Sequence, residues 1–318
     1  MTEELKQHFC DNLDLPIGIL VEPYFTNRLK IFNKLKEYSD FNIKLNSEFK
    51  GSEKDYLNSY NELAEKIASF LHFSEAFAKI KSSNEKYAKI DYKVNNATIF
   101  TEDNIGKKYI RIFMPNYEYR SLVVYSKLKK VSFESNMNYY DFISRFTDIE
   151  MIRESSKFKK LVFDKCMPEV QVCYTTFVIN QILNKVVEIV KLSRSIMYST
   201  EINEVFIEVT PLTKENIQKL FKLISGMCNS VMLCCEYVQV GYEAYTKAFV
   251  MCRHKGDFET FECNQESATV LATDPIDRIL LQKALNGAKI TDEDKTFKIN
   301  GKLARLVGNI DIKFIMNK

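Results

Sequence analysis

Residues 198–210 read YSTEINEVFIEVT, a polar turn rich in Glu and Asn leading into an alternating apolar run. From Glu204 to Val209 the side chains alternate. Val205, Ile207 and Val209 fall on one face and Glu204, Phe206 and Glu208 on the other, which is the period of a strand with one face against a core. A shorter run, Ser195–Tyr198, precedes it, and Glu201, Asn203 and Glu204 crowd the turn between the two. The stretch therefore reads as a β-hairpin over 195–210, with its outer carboxylates expected in solvent. Thr213 then caps an amphipathic helix in which Ile217, Leu220, Phe221 and Ile224 recur at helical spacing.

The same signals extend outward. Downstream, VMLCCEYVQV (231–240) and YTKAFVMCR (245–253) read as strands, with the turn expected at Gly241. Asp274-Pro275 opens a helix that stops at Asn286-Gly287, and short strands around Asn300-Gly301 close the chain. Upstream, NATIFTEDNIGKKYIRIFM reads as a hairpin that turns at Asn104-Ile105-Gly106, with a strand from Lys108 to Met114 that ends at Pro115. A helix follows over Tyr117–Lys127, then a helix pair over 138–163, then a long apolar helix from Pro168. The first ninety residues are mostly helical. Apolar residues at 25, 29, 32, 35 and 38 predict one helix over Phe25–Tyr38, after an extended LPIGILVEP. A capping box at Ser52–Asp55 opens another, with Leu63, Ile67 and Leu71 on its stripe.

This order predicts an α+β protein in three regions: a helical one over 1–90, an α+β domain over 91–265, and a C-terminal helix with short strands over 266–318. With 46% hydrophobic and 27% charged residues, the 318-residue chain is able to build a core. Its formal charge of +3 is too small to imply a nucleic-acid partner, so local clusters have to carry that case. The eight cysteines include no Cys-x-x-Cys, and none of the three histidines has metal-ligand spacing to them, so no metal site is expected. The N-terminus MTEELKQHFC lacks an apolar signal core, and no run reaches the ~18 apolar residues of a span. The expected setting is an intracellular, aqueous, reducing compartment, without a membrane partner. The richness in Phe, Tyr, Lys and Asn is the bias of an AT-rich source such as a virus or phage. Nine scattered glycines leave no phosphate loop or dinucleotide fingerprint.

Three segments together resemble the palm and fingers of family A DNA polymerases and their single-subunit RNA polymerase relatives. YIRIFMPNYEYRSLVVY (109–125) looks like the first palm motif, whose strand ends in a metal-binding Asp and whose helix carries a Glu. RESSKFKKLVF (153–163) resembles the basic fingers helix that holds the incoming triphosphate. EINEVFIEV (201–209) resembles the last catalytic hairpin. The resemblance implies a palm-like antiparallel sheet backed by helices. Carried over, the first Asp falls at Phe113 or Met114 and the last at Asn203. Two-metal phosphoryl transfer needs anionic oxygens holding ions roughly 3.5–4 Å apart. Phe offers no ligand and Asn only a neutral one, so the resemblance implies a catalytically degenerate site.

Glu118, Glu201 and Glu204 remain as fallback carboxylates. On them rests the alternative of an active nucleotidyltransferase, the only case in which Mg²⁺ is expected as a cofactor. Arg153, Lys157, Lys159 and Lys160 form one basic cluster. Lys127, Lys129 and Lys130 form a second, near Tyr139 and Tyr140, and this mixture suits single-stranded or primer–template nucleic acid. The leading expectation is a non-catalytic palm-like component of a replication or transcription assembly, binding nucleic acid or acting as a protein scaffold. An unrelated α+β interaction protein is the third possibility.

Overall fold

The structure, a computed structural model, describes residues 1–82, 97–133, 138–166, 197–201, 204–229, 233–254, 256 and 258–317. It is an α+β fold with an antiparallel sheet backed by helices and a helical N-terminal region. The helix expected from Pro168 lies outside the described residues.

The N-terminal helices are α1 (Glu3–Asn12), α2 (Tyr24–Ile31), α3 (Leu35–Phe49), α4 (Glu53–His72) and α5 (Glu75–Ser82). The single helix expected over Phe25–Tyr38 is two. Asn33 takes a left-handed φ of 52°, and the Lys34 N–H turns back to Leu29 O at 2.8 Å, so the chain starts a new direction at Leu35. Ser52 does cap α4, its hydroxyl accepting from the Asp55 N–H.

Next come β1 (Lys108–Phe113), α6 (Tyr117–Lys129), α7 (Tyr139–Ser144), α8 (Glu150–Glu154) and α9 (Ser156–Cys166). Three short helices thus replace the expected pair. The hairpin expected before β1 is absent: residues 97–107 run as coil with one 3₁₀ turn at Glu102–Asn104. β1 is instead a central strand, paired on both edges. The remaining elements are β2 (Met197–Glu201), β3 (Glu204–Glu208), α10 (Lys214–Asn229), β4 (Cys234–Glu243), β5 (Ala248–His254), β6 (Phe261–Glu262), β7 (Ala268–Leu271), α11 (Pro275–Leu285), β8 (Thr296–Ile299), β9 (Lys302–Arg305) and β10 (Phe314–Ile315).

The strand order is β2-β3-β1-β4-β5, all antiparallel. β6 and β7 share the outer edge of β5, and β10 joins β4 beside β1. β3, α10 and β4 form a split β-α-β unit, the two parallel strands lying on either side of β1. Gly241 is not a turn but lies within β4, and the chain reverses after Glu243, with Lys247 at a φ of 54°.

Alternation along the strands divides the two faces. Ile110, Ile112, Val205, Ile207, Val209 and Tyr237 face the helices and share one continuous core with α1–α4 and α6–α10. On the opposite face Tyr109, Phe206, Val238, Val240 and Met251 are covered by Ile99 and Phe100. The expectation that the outer face of β3 is solvated is therefore wrong: Phe206 is fully buried and Glu204 is 8% exposed.

The C-terminal segment returns to the N-terminal helices. Arg28 of α2 is buried, donating to the carbonyls of Glu293 and Thr296 at 2.8 Å each, and its Nη1 lies 3.5 Å from buried Asp294. Lys283 of α11 and Asn27 also reach Asp294, at 3.0 Å. Truncating Arg28 to Ala leaves a buried carboxylate short of a cation and the carbonyls of Glu293, Asp294 and Thr296 without this donor. A loss of about 3–5 kcal/mol in denaturant unfolding is expected, and a loss below about 1 kcal/mol would contradict the role given to this pair.

His8 lies between Tyr60 and Tyr56, ring centroids 4.9 and 5.8 Å away. Burial first, and then the charge of Lys157, lower its pKa from 6.5 to about 4 against the opposing pull of Asp11. Between those values the unfolded chain binds more protons than the folded one, so stability falls as pH drops from 6.5 toward 4. The thermal midpoint of His8→Phe should fall less over that window than that of the wild type; equal slopes would count against it.

Candidate functional site

Arg111 is the one charge in the interior of β1. Because Ile110 and Ile112 point to the helices, it points the other way, opposite Phe206 of β3 and Glu236 of β4. Its Nε and Nη2 donate to Glu204 Oε2 at 2.9 and 2.7 Å, and Nη1 donates to Glu236 Oε2 at 3.1 Å. The other oxygen of Glu236 accepts from Arg253 Nε at 2.8 Å. Four strands thus carry a row of alternating sign, Glu204–Arg111–Glu236–Arg253, with no net formal charge. The guanidinium also lies 4.0 Å from the ring centroid of Phe113, a cation–π contact that covers the pair from one side. The Glu204 side chain is 9% exposed and that of Arg111 19%, so the pair is only partly screened by water.

The positions named from the polymerase resemblance fall around this row. Phe113 ends β1 and is the cross-strand partner of Glu204 at the start of β3. Met114 is fully buried in the helix-side core. Asn203 lies outside the described residues. Glu201 ends β2, its backbone opposite Glu204. Glu208 sits 3.9 Å from Lys107. Glu118, in the first turn of α6, pairs instead with Lys159 of α9 at 3.3 Å. Among the described residues, no group of three or more His, Cys, Asp or Glu is placed to hold a metal ion.

Most of the first basic cluster is engaged within the chain. Arg153 contacts Glu150 and lies 4.9 Å from the Tyr140 ring, Lys157 pairs with Asp11 at 3.0 Å, and Lys159 pairs with Glu118. Lys160 is exposed. Lys159 also donates to Asn116, the N-cap of α6, whereas Lys127, Lys129 and Lys130 lie at the C-terminal end of that helix. Thirteen residues at 1.5 Å each separate these ends by about 20 Å. Lys159 is thus at the opposite end of α6 from the second cluster. His254 is ringed by Phe258, Tyr237 and Phe221, centroids at 4.5, 5.4 and 5.8 Å.

Arg111, Glu236 and Arg253 were not foreseen as site residues. Their signal is a single charge within each apolar run (IRIF, CCEYV, VMCR), opposite in sign on neighbouring strands. Arg111→Met leaves Glu204 and Glu236 facing one another without the cation between them. Denaturant unfolding should show a loss of about 2–4 kcal/mol, below the full cost of a buried pair because the row is part-exposed. Lys219→Met, which removes the exposed pair with Glu215, should leave stability unchanged. Equal effects of the two variants would contradict the assignment. No family model matches the chain, nor does any curated protein or any solved structure.

Proposed function

We propose that the chain is a non-catalytic, palm-like scaffold component of a replication or transcription assembly. The observation that carries this reading is the position of Arg111. Phe113, where the polymerase resemblance assigns the first metal-binding Asp, faces Glu204 across adjacent strands, next to the hairpin tip that would bear the last one. Glu204, the cross-strand partner of Phe113, and Glu236 on the other side of β1 are both held by Arg111. A guanidinium stays charged throughout the physiological range. It is a fixed cation where phosphoryl transfer needs exchangeable ions with open coordination positions. The strand order β2-β3-β1-β4, with helices after β1 and β3, supports the palm likeness. The engagement of Arg153, Lys157 and Lys159 with acidic partners favours a protein scaffold over a continuous phosphate track.

Primer extension and terminal addition with Mg²⁺ or Mn²⁺ should yield no product, and a labelled single strand should not bind at low salt. Extension would overturn the non-catalytic reading. Salt-dependent binding that disappears on changing Lys127, Lys129 and Lys130 to Ala would replace the scaffold with a nucleic-acid-binding role.

A further inference from the structure

Cys252 lies in β5 and Cys263 one residue beyond β6. These strands pair through Arg253↔Glu262 and His254↔Phe261, so Cys263 follows the last pair on the side of Cys252. The ladder stops there, because β5 passes to β7 at Cys252↔Ala268. The intervening turn is tied down: Ser267 Oγ donates to Glu262 O at 2.8 Å, and the N–H groups of Glu266 and Ser267 reach Asn264 Oδ1 at 3.0 Å. Cys263 is thus held against β5 from both sides.

The two thiols are already in hydrogen-bonding contact. Cys252 is fully buried and Cys263 half-buried, so a soluble reagent meets Cys263 first. The contact with Cys252 holds the Cys263 thiol below its ordinary pKa and enlarges its thiolate fraction. The same contact, with burial, pushes Cys252 up. Cys252 Sγ also lies 3.8 Å from Met316 Sδ. Gly241 makes room for that sulfur, since a Cβ there would sit 2.6 Å from it.

We propose that Cys252 and Cys263 are a reversible dithiol–disulfide pair, with Cys263 as the attacking thiol and a small disulfide such as oxidised glutathione as the oxidant. The Cys263 thiolate attacks one sulfur of oxidised glutathione, forming a mixed disulfide and releasing a glutathione thiolate. Cys252 then loses its proton to solvent and attacks the Cys263 sulfur, closing the internal bond and releasing the second glutathione. Both protein thiols are oxidised and the small disulfide is reduced to two thiols. The bond fastens β6 to β5 at the outer edge of the sheet. This inference is independent of the palm-like reading.

The test is oxidation of the full chain with oxidised glutathione, alkylation of remaining thiols, and peptide mapping by mass spectrometry. A linked peptide pair bearing Cys252 and Cys263, reversed by dithiothreitol, is expected. The thermal midpoint of the oxidised chain should rise by a few degrees. Cys263→Ser should abolish both the link and the rise while leaving the reduced midpoint in place. The thiols of Cys228 and Cys235 are also in contact, so the map has an internal competitor. A link confined to Cys228 and Cys235, or only mixed glutathione adducts at Cys263, would overturn the assignment.

Discussion

Two carboxylates on strands flanking β1 face the same side of the sheet, and Arg111 lies between them. Glu204 and Glu236 belong to β3 and β4, and without a cation the sheet would have to bring like charges together in a region largely closed to water. Arg111 removes the conflict by donating from three nitrogens at once, which a lysine cannot do. Arg253 extends the row to β5, so the sign alternates across four strands. Such an arrangement fixes register. A one-residue slip of β1 would turn Arg111 into the helix-side core and expose Ile110 and Ile112.

That register sets what the sheet presents on each face. The helix side is apolar from β3 through β4 and merges with the N-terminal helices without a break, while the other side combines the charged row with a small aromatic core under residues 97–100. The far end of the chain is fastened to the beginning by the buried pair of Arg28 and Asp294. In both places a guanidinium, with its planar fork of donors, satisfies several oxygens that belong to elements distant in sequence.

Much of the fold was legible because it rests on local signals. The β2–β3 hairpin, the caps at Ser52, Thr213 and Asp274, and the turn at Asn300-Gly301 all follow from periodicity and turn chemistry, and all are found. The misreadings have a common cause, in that tertiary contacts outweighed the local signal. Gly241 looks like a turn residue, yet it serves β4 by leaving space for Met316, which lies 75 residues further on. Asn33 carries no apolar weight, so periodicity ran through it, although its left-handed backbone ends α2. For the site, the sequence pointed to Phe113 and to the missing aspartates. It did not point to Arg111, because the partners of a strand charge depend on which strands become neighbours. The polymerase resemblance directed attention to carboxylates, whereas the structure places a permanent cation among them.

On the proposed palm-like reading, Arg111 stands where a divalent ion would otherwise be needed. Diffraction from a crystal of the full chain soaked in Mn²⁺, read at an anomalous wavelength, separates the two. The Arg111 guanidinium is expected between Glu204 and Glu236, with no manganese peak at the end of β1 beside Phe113. A manganese peak bridged by Glu204 there, with Arg111 displaced, would contradict that reading.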